Sequence, residues 1–298
     1  MYESFFGLKE RPFALLPDPS FLYMSKRHTT ALTLLQYSLQ NRQGFTVITG
    51  EVGCGKTTLI NRLLDEMQQE FRVGLINFTH NNFGEMAEWI MMAFDLEYKG
   101  KGAVEIYDDF VKFLIREYAA GHPVVLIVDE AQNMGVKGLE ELRMLSNVNA
   151  QKEHLLHLIL VGQPELQELL KLRELRQLTQ RVSVAYNLAP FGMSDVAAYI
   201  AHRITVAGGQ PTIFTPEAMR LIAAASDGIP RLVNTLCDLS LVYGFSEGHE
   251  RIGVPIVRSV LRDRVRMGLP LGVGGARDDM ADEREQSRIG QGVSKAAG

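Results

Sequence analysis

The stretch GFTVITGEVGCGKT, residues 44–57, combines the patterns of a strand, a glycine-rich loop and the start of a helix. It opens with a run rich in β-branched residues, passes through a glycine-rich turn and continues into a helical pattern over 58–64. The turn fits G-x-x-x-x-G-K-[ST], the pattern of a P-loop. In such a loop, backbone N–H groups and the N-terminus of the following helix bind phosphate groups. The stretch therefore predicts a nucleotide site between a strand and a helix.

We assign phosphate binding to the loop and to the first residues of the helix. These positions are Gly50, Glu51, Val52, Gly53, Cys54, Gly55, Lys56, Thr57 and Thr58. Lys56 is expected to reach the β- and γ-phosphates and to act in catalysis, and the Thr57 hydroxyl is expected to bind Mg²⁺. ATP and Mg²⁺ are therefore the predicted ligands.

Length and composition limit the protein classes that need to be considered. A chain of 298 residues with 46% apolar and 22% charged residues is typical of a globular protein of about two domains. We find no apolar run near the ~18 residues that span a bilayer and no signal peptide. The two cysteines, Cys54 and Cys237, do not suggest a disulfide framework, so we expect a cytoplasmic location. The net charge of −4 gives no overall attraction to nucleic acid.

Strand and helix patterns alternate up to about residue 190. The strand patterns fall at 45–49, 72–78, 123–129, 155–161 and 182–188. The helical patterns fall at 26–42, 58–64, 84–94, 103–120, 138–148 and 164–180, and 149–154 is expected to be a polar loop. This alternation predicts an α/β fold with a five-stranded, mostly parallel sheet between helices.

Beyond residue 193 the patterns are helical, and we expect a C-terminal helical lid domain. Its helices are predicted at 194–207, 215–226, 230–245 and 254–267. A glycine-rich stretch of mixed charge follows and is expected to be disordered. The predicted division is therefore an arm with the first helix of the core (1–43), the P-loop core (44–191), the lid (192–267) and a tail (268–298).

The segment 5–23 is dense in aromatic residues and prolines, which disfavour a helix. We expect an extended arm that lies on the domain. Two alternatives remain open for 21–23: these residues close over the adenine ring, or they only dock the arm.

A second chemical element lies at the end of the 123–129 strand, where a continuous apolar run ends in Asp129 and Glu130. Downstream of a P-loop this is the Walker B arrangement. Asp129 is expected to hold Mg²⁺, and Glu130 to orient and deprotonate the attacking water. The alternative is that the two carboxylates only cap the next helix. With the P-loop present, the pair favours ATP hydrolysis.

Several stretches together resemble a known group, the AAA+ ATPases of the ExeA/GspA type from bacterial secretion systems. They are the opening MYESFFGLKERPFALLPDPSFLYMSKRH, GEVGCGKTT, VDEAQNM, LVGQPEL, the QRV segment and GIPRLVNTLCD. The resemblance covers about residues 1–267. MshM-like proteins and ATPases of exosortase-linked polysaccharide loci are similar, and transposition regulators of the TnsC type are more distantly so.

The resemblance implies roles for further residues. Gln163 falls at the sensor-1 position, where a polar side chain touches the γ-phosphate or the attacking water. Arg231 matches sensor 2, at the start of a lid helix. Arg181 is placed to complete the neighbouring subunit's ATP site in a ring, with Arg173 and Arg176 as alternatives.

The predicted function is Mg²⁺-dependent ATP hydrolysis by a protein that assembles into a ring or dimer on ATP. The resemblance implies that it energises or regulates secretion, polysaccharide export or surface-structure assembly. It also implies a membrane-associated partner, with the chain cytoplasmic or peripheral at the inner membrane. The alternative function is an ATP-gated DNA-binding regulator of transposition type. For that alternative, an arginine stripe on the last lid helix would face DNA. Its members are Arg258, Arg262, Arg264 and Arg266.

Overall fold

The computed structural model describes two compact units. The described residues are 1–15, 18–42, 44–67, 70–77, 86–150, 153–269 and 271–272. One unit, the sheet unit, consists of Lys26–Val52 and Lys56–Ala189. The other, the helical unit, consists of Met1–Ser25, Gly53–Gly55 and Pro190–Gly298.

The sheet unit contains a five-stranded sheet in which every strand pairing is parallel. The strands of the unit are β1 (Phe45–Thr49), β2 (Arg72–Asn77), β3 (Val124–Asp129), β4 (Asn149–Ala150), β5 (Glu153–His154), β6 (Leu156–Gly162) and β7 (Val182–Asn187). The spatial order in the main sheet is β2-β3-β6-β1-β7. The five predicted strands are therefore present, and the predicted parallel arrangement is confirmed.

Burial of the central strands explains why their sequences are continuously apolar. Every residue of β1, β3 and β6 is buried. Leu126 and Val128 join the buried core cluster of this unit, and the alternate residues Val125 and Ile127 are buried as well. Since successive side chains of a strand point to opposite faces, both faces of the sheet are covered.

The helices of the sheet unit follow the predicted pattern. They are α1 (Lys26–Gln40), α2 (Lys56–Met67), α3 (Met86–Ala93), α4 (Ala103–Ala119), α5 (Gly135–Leu145), α6 (Pro164–Leu170) and α7 (Arg176–Thr179). Short 3₁₀ turns lie at Ala131–Met134 and Arg173–Leu175. The segment that we predicted as a polar loop, 149–154, differs: β4 and β5 form an antiparallel ribbon there. Strands of two residues are too short for an alternating pattern to reveal them.

The helical unit contains α8 (Met193–Val206), α9 (Pro216–Ser226), α10 (Pro230–Glu247) and α11 (Val254–Arg266), with 3₁₀ turns at Pro19–Phe21 and Pro211–Ile213. Residues 1–25 belong to this unit by their contacts, whereas the sequence led us to group them with the first helix of the core. The four-part division stays a prediction. Of the predicted tail, 270 and 273–298 lie outside the described residues.

The arm is held by the buried side chain of Arg203, which is 7% exposed. Its guanidinium donates hydrogen bonds to the carbonyl oxygens of Pro12 and Ala14 and lies 4.8 Å from the ring centroid of Phe21. Tyr23 packs edge-on against Phe191 at 5.8 Å. In this structure, therefore, 21–23 dock the arm on the helical unit.

Among the described residues, none of the helices has the length and apolar character needed to cross a membrane.

Candidate nucleotide site

The loop that follows β1 has the conformation that its glycines predict. Gly53 and Gly55 adopt φ values of 81° and 92°, a region that favours glycine. Gly50 is required for a different reason: a Cβ there would lie 2.5 Å from the carbonyl oxygen of Leu188. A side chain at position 50 would therefore push β7 away from the end of β1.

Lys56, the first residue of α2, turns its side chain back toward the end of β1. Its Nζ donates to the carbonyl oxygens of Gly50 at 2.7 Å and Glu51 at 3.1 Å. The side chain is buried, with 6% of the residue exposed. Since a buried ammonium requires partners, the loop carbonyls hold this cation at the carboxyl end of the sheet.

Thr57 and Asp129 meet at the same end of the sheet. Thr57 Oγ1 donates to Asp129 Oδ2 at 2.8 Å, and Asp129 Oδ1 accepts the backbone N–H of Glu130 at 2.9 Å. Asp129 is buried, with 4% of the residue exposed. A hydroxyl and a carboxylate are oxygen ligands of the kind that Mg²⁺ prefers, so the two predicted metal ligands fit the ion.

Glu130 follows β3 directly and has a left-handed backbone, with φ 54° and ψ 39°. Such a conformation costs a residue other than glycine about 1–3 kcal/mol and is concentrated at functional sites. Glu130 is the N-cap residue of the 3₁₀ turn Ala131–Met134. The carboxylate is half-buried and does not cap that turn through its side chain, in contrast to the alternative that the sequence left open.

Two amide side chains bind the Glu130 carboxylate. Gln163, just after β6, donates from Nε2 to Glu130 Oε2 at 2.8 Å, and Gln132 donates to the same oxygen at 2.6 Å. The structure thus brings predicted sensor 1 to the predicted base. Gln132 was missed because nothing in a strand or helix pattern indicates that a 3₁₀ turn folds it back toward Glu130.

The three candidate arginines lie in two kinds of environment. Arg173 and Arg176 are exposed. Arg181 is half-buried, and its Nη1 donates to the hydroxyl of Ser146 at 3.2 Å. Within the part of the chain that the structure describes, none of the three hydrogen-bonds the Glu130 carboxylate. Their assignment to a neighbouring subunit stays a prediction.

The remaining predicted positions differ in their exposure. Glu51, Val52 and Thr57 are exposed, Thr58 is half-buried and Cys54 is buried.

Arg231, the predicted sensor 2, is the second residue of α10 and is exposed. Its backbone N–H donates to the carbonyl of Gly53 at 3.3 Å, within the helical unit to which both residues belong. A Cβ at Gly53 would lie 2.6 Å from Arg231 Cβ. Gly53 therefore lacks a side chain at a point where two backbones approach closely.

Comparisons with known proteins identify one domain of this chain and a relative in sequence. Residues 39–170 match a family model described as an AAA domain. General secretion pathway protein A of Aeromonas hydrophila is 41% identical over 253 residues, which cover 85% of this chain and 46% of that protein. The chain thus spans about half the length of this curated relative.

Solved structures share the fold at low sequence identity. The ORC2 protein of Aeropyrum pernix, in its ADPNP–ADP complexes, matches with a TM-score of 0.60 at 18% identity, over 84% of this chain and 71% of that chain. Cdc6p of Pyrobaculum aerophilum matches with a TM-score of 0.62 at 18% identity, over 86% and 75%. These likenesses confirm the predicted P-loop α/β fold class and carry nothing beyond the fold. Residues 39–170 therefore match an AAA domain, and the chain is similar in sequence to General secretion pathway protein A over most of its own length.

Proposed function

We propose that the chain hydrolyses ATP with Mg²⁺ at the carboxyl end of its parallel sheet. The observation that carries this proposal is the meeting of Lys56, Thr57, Asp129 and Glu130 at the ends of β1 and β3. A cation, a metal-ligand pair and a carboxylate base are the groups that phosphoryl transfer to water requires.

Each group has a defined task in the proposed reaction. Lys56 exchanges its loop carbonyls for the β- and γ-phosphate oxygens. Thr57 and Asp129 hold Mg²⁺, which neutralises phosphate charge when it is bound. Glu130 orients a water molecule and accepts its proton while the water oxygen bonds to the γ-phosphorus. The bond from that phosphorus to the β-phosphate oxygen breaks, and ADP and phosphate are the products.

Replacing the base tests this proposal. Glu130→Gln keeps the size of the side chain but cannot accept the proton, so we expect turnover to fall by about 10²–10⁴-fold. Binding of ATP is expected to persist, since Lys56 and the loop are unchanged. Phosphate release and the affinity for a fluorescent ATP analogue would be measured on the same preparations. Turnover at the wild-type rate in this variant would assign the base to another residue.

We further propose that ATP drives assembly of the chain into a ring or dimer. An exposed arginine pair, Arg173 and Arg176, and the nearby Arg181 support this proposal, because an arginine from a neighbour stabilises charge on the transferred phosphoryl group. We also propose that Gln163 acts as sensor 1, which touches the γ-phosphate or the attacking water, and that Arg231 acts as sensor 2. Sedimentation with and without a non-hydrolysable ATP analogue tests assembly.

We propose a role in bacterial secretion, polysaccharide export or surface-structure assembly, and the similarity to General secretion pathway protein A supports the first of these. The chain would act in the cytoplasm, or peripherally at the inner membrane through a partner protein. Separating cell extracts into membrane and soluble fractions, in the presence of ATP or of ADP, tests this location. A membrane-bound fraction of the chain that requires a second, co-purifying protein supports it.

An ATP-gated DNA-binding role is the second candidate. Arg258, Arg262 and Arg266 of α11 are exposed, and Arg264 is half-buried. Asp263 partly offsets this charge, since its carboxylate lies 3.9 Å from Arg266. ATPase assays with and without duplex DNA separate the two candidates, because only the second predicts stimulation by DNA.

A further inference from the structure

The 3₁₀ turn after Glu130 carries a side chain to which the P-loop and Walker B motifs give no role. Gln132 Nε2 donates to Glu130 Oε2 at 2.6 Å, and Gln132 Oε1 accepts the backbone N–H of Gln163 at 3.1 Å. Gln163 Nε2 reaches the same Glu130 oxygen at 2.8 Å. Three residues therefore form a closed set of hydrogen bonds between the ends of β3 and β6.

The Gln132 carboxamide fits this place in one orientation only. An ionised carboxylate accepts hydrogen bonds and a backbone N–H donates them. The NH₂ end of Gln132 therefore faces Glu130, and its oxygen faces Gln163. A glutamate at position 132 would satisfy the second partner and repel the first, and a methionine would satisfy neither.

Gly162, the last residue of β6, makes room for this carboxamide. A Cβ at Gly162 would lie 2.8 Å from Gln132 Oε1, which is closer than real Cβ contacts come. The same Cβ would lie 2.8 Å from Leu166 Cδ2, so the missing side chain at Gly162 leaves room for both Gln132 and Leu166.

Both amide donors bind one oxygen of the Glu130 carboxylate. The left-handed backbone of Glu130 places this residue outside any helix, and its N–H is bound to Asp129 Oδ1 at 2.9 Å. With Oε2 held by Gln132 and Gln163, the plane of the carboxylate is fixed. The second oxygen, Oε1, is engaged by neither amide and is left to receive a proton.

We propose that Gln132 is a positioning residue that anchors Glu130 Oε2 and so presents Oε1 to the attacking water. This inference rests on the proposed ATP hydrolysis. Gln132 acts through Glu130, and its bond to the Gln163 N–H ties the carboxylate to the end of β6. Movement of the end of β6 would therefore change the orientation of the Glu130 carboxylate toward the attacking water.

Gln132→Met tests the role, because methionine keeps the length of the side chain and removes both polar ends. A loss of positioning is expected to lower kcat by about 10–100-fold and to leave KM for ATP within about twofold. Gln36→Met is the matched control: Gln36 Nε2 donates to Glu66 Oε2 at 2.7 Å, which is the same amide–carboxylate pair on α1 and α2. The control is expected to keep the wild-type kcat.

Gln132→Glu keeps the acceptor for the Gln163 N–H but loses the donor to Glu130. We expect its kcat to fall at least as far as that of Gln132→Met. Wild-type turnover in this variant would show that Glu130 needs no donor at position 132, and the inference would be overturned. Should Gln132→Met fail to fold, this variant still answers the question.

A double variant completes the test. If Gln132 acts through Glu130, adding Gln132→Met to Glu130→Gln should not lower the residual turnover further; a full additional loss would contradict the inference. Thermal unfolding and binding of the ATP analogue would be measured for every variant. If the wild-type chain released no phosphate from ATP, the proposed ATP hydrolysis itself would be contradicted. An active wild type with an equally active Gln132→Met overturns only the role of Gln132.

Discussion

The carboxyl end of the sheet and the arginine stretch between α6 and β7 both belong to the sheet unit. They differ in the burial and hydrogen bonding of their charged side chains. Lys56 and Glu130 are tied to their surroundings by hydrogen bonds of 2.6–3.1 Å. By contrast, Arg173 and Arg176 are exposed, and Arg181 contacts a serine hydroxyl. The first region is preorganised within one chain, whereas the second exposes the side chains of Arg173 and Arg176. The proposed assembly would use this difference by bringing an arginine of one chain to the site of another.

The largest expected effect comes from removing the cation of the first region. Lys56→Ala deletes the ammonium that Gly50 and Glu51 hold in place, so the loop loses its charge toward phosphates. We expect no detectable ATP binding and no turnover. Isothermal titration with ATP and Mg²⁺ measures this, with thermal unfolding as the check on folding. Binding at wild-type affinity would mean that the phosphates lie elsewhere.

The next effect tests whether the second region serves another chain. Arg181→Ala should bind ATP normally and lose about 10³-fold or more in turnover, because the transferred phosphoryl group loses a stabilising charge. Specific activity of the wild type should rise with protein concentration. Arg173→Ala and Arg176→Ala variants, measured in parallel, identify which arginine stabilises the transferred phosphoryl group of the neighbouring chain.

Mixing variants sharpens this test. Arg181→Ala has an intact P-loop and Lys56→Ala has the arginine, so a mixed interface contains one complete site. Partial recovery of phosphate release in the mixture is expected. Concentration-independent wild-type activity, together with an active Arg181→Ala, would leave a self-sufficient monomer and remove the contrast between the two regions.

The smallest effect concerns the metal pair. Asp129→Asn keeps the hydrogen-bonding shape toward Thr57 but removes the negative charge. We expect the Mg²⁺ concentration for half-maximal turnover to rise by about 10–100-fold. A Mg²⁺ titration of ATPase activity provides the measurement, and Asp65→Asn, an exposed site on α2, provides the control. Unchanged Mg²⁺ dependence would remove Asp129 from the metal site.

Sequence reasoning succeeded where the signal is local. A strand buried on both faces must be apolar throughout, so β3 was visible as a run that ends at two carboxylates. The P-loop is a continuous pattern whose glycines are explained by positive φ or close backbone approach. Gln163 came from the resemblance, and its contact with Glu130 required the structure.

Features that depend on distant partners, or on local backbone without a repeating pattern, were not predictable. Residues 1–25 pack with the helical unit because Arg203 binds the arm from far along the chain. Gln132 reaches Glu130 only because a left-handed residue and a 3₁₀ turn reverse the chain there. Each strand of the β4–β5 ribbon has only two residues, which is too short to show an alternating pattern in the sequence.

The arm also has a consequence for synthesis on the ribosome. Pro12 is 191 residues from Arg203, and the hydrogen bond from Tyr2 to Asp238 spans 236 residues. At roughly 5–20 residues per second, making the 191 or 236 intervening residues takes about 10–50 s. During this time the aromatic side chains of the arm wait in solvent while the whole sheet unit is produced. The arm is thus made well before its native partners, and until they are made the nascent chain exposes apolar side chains that chaperones can bind.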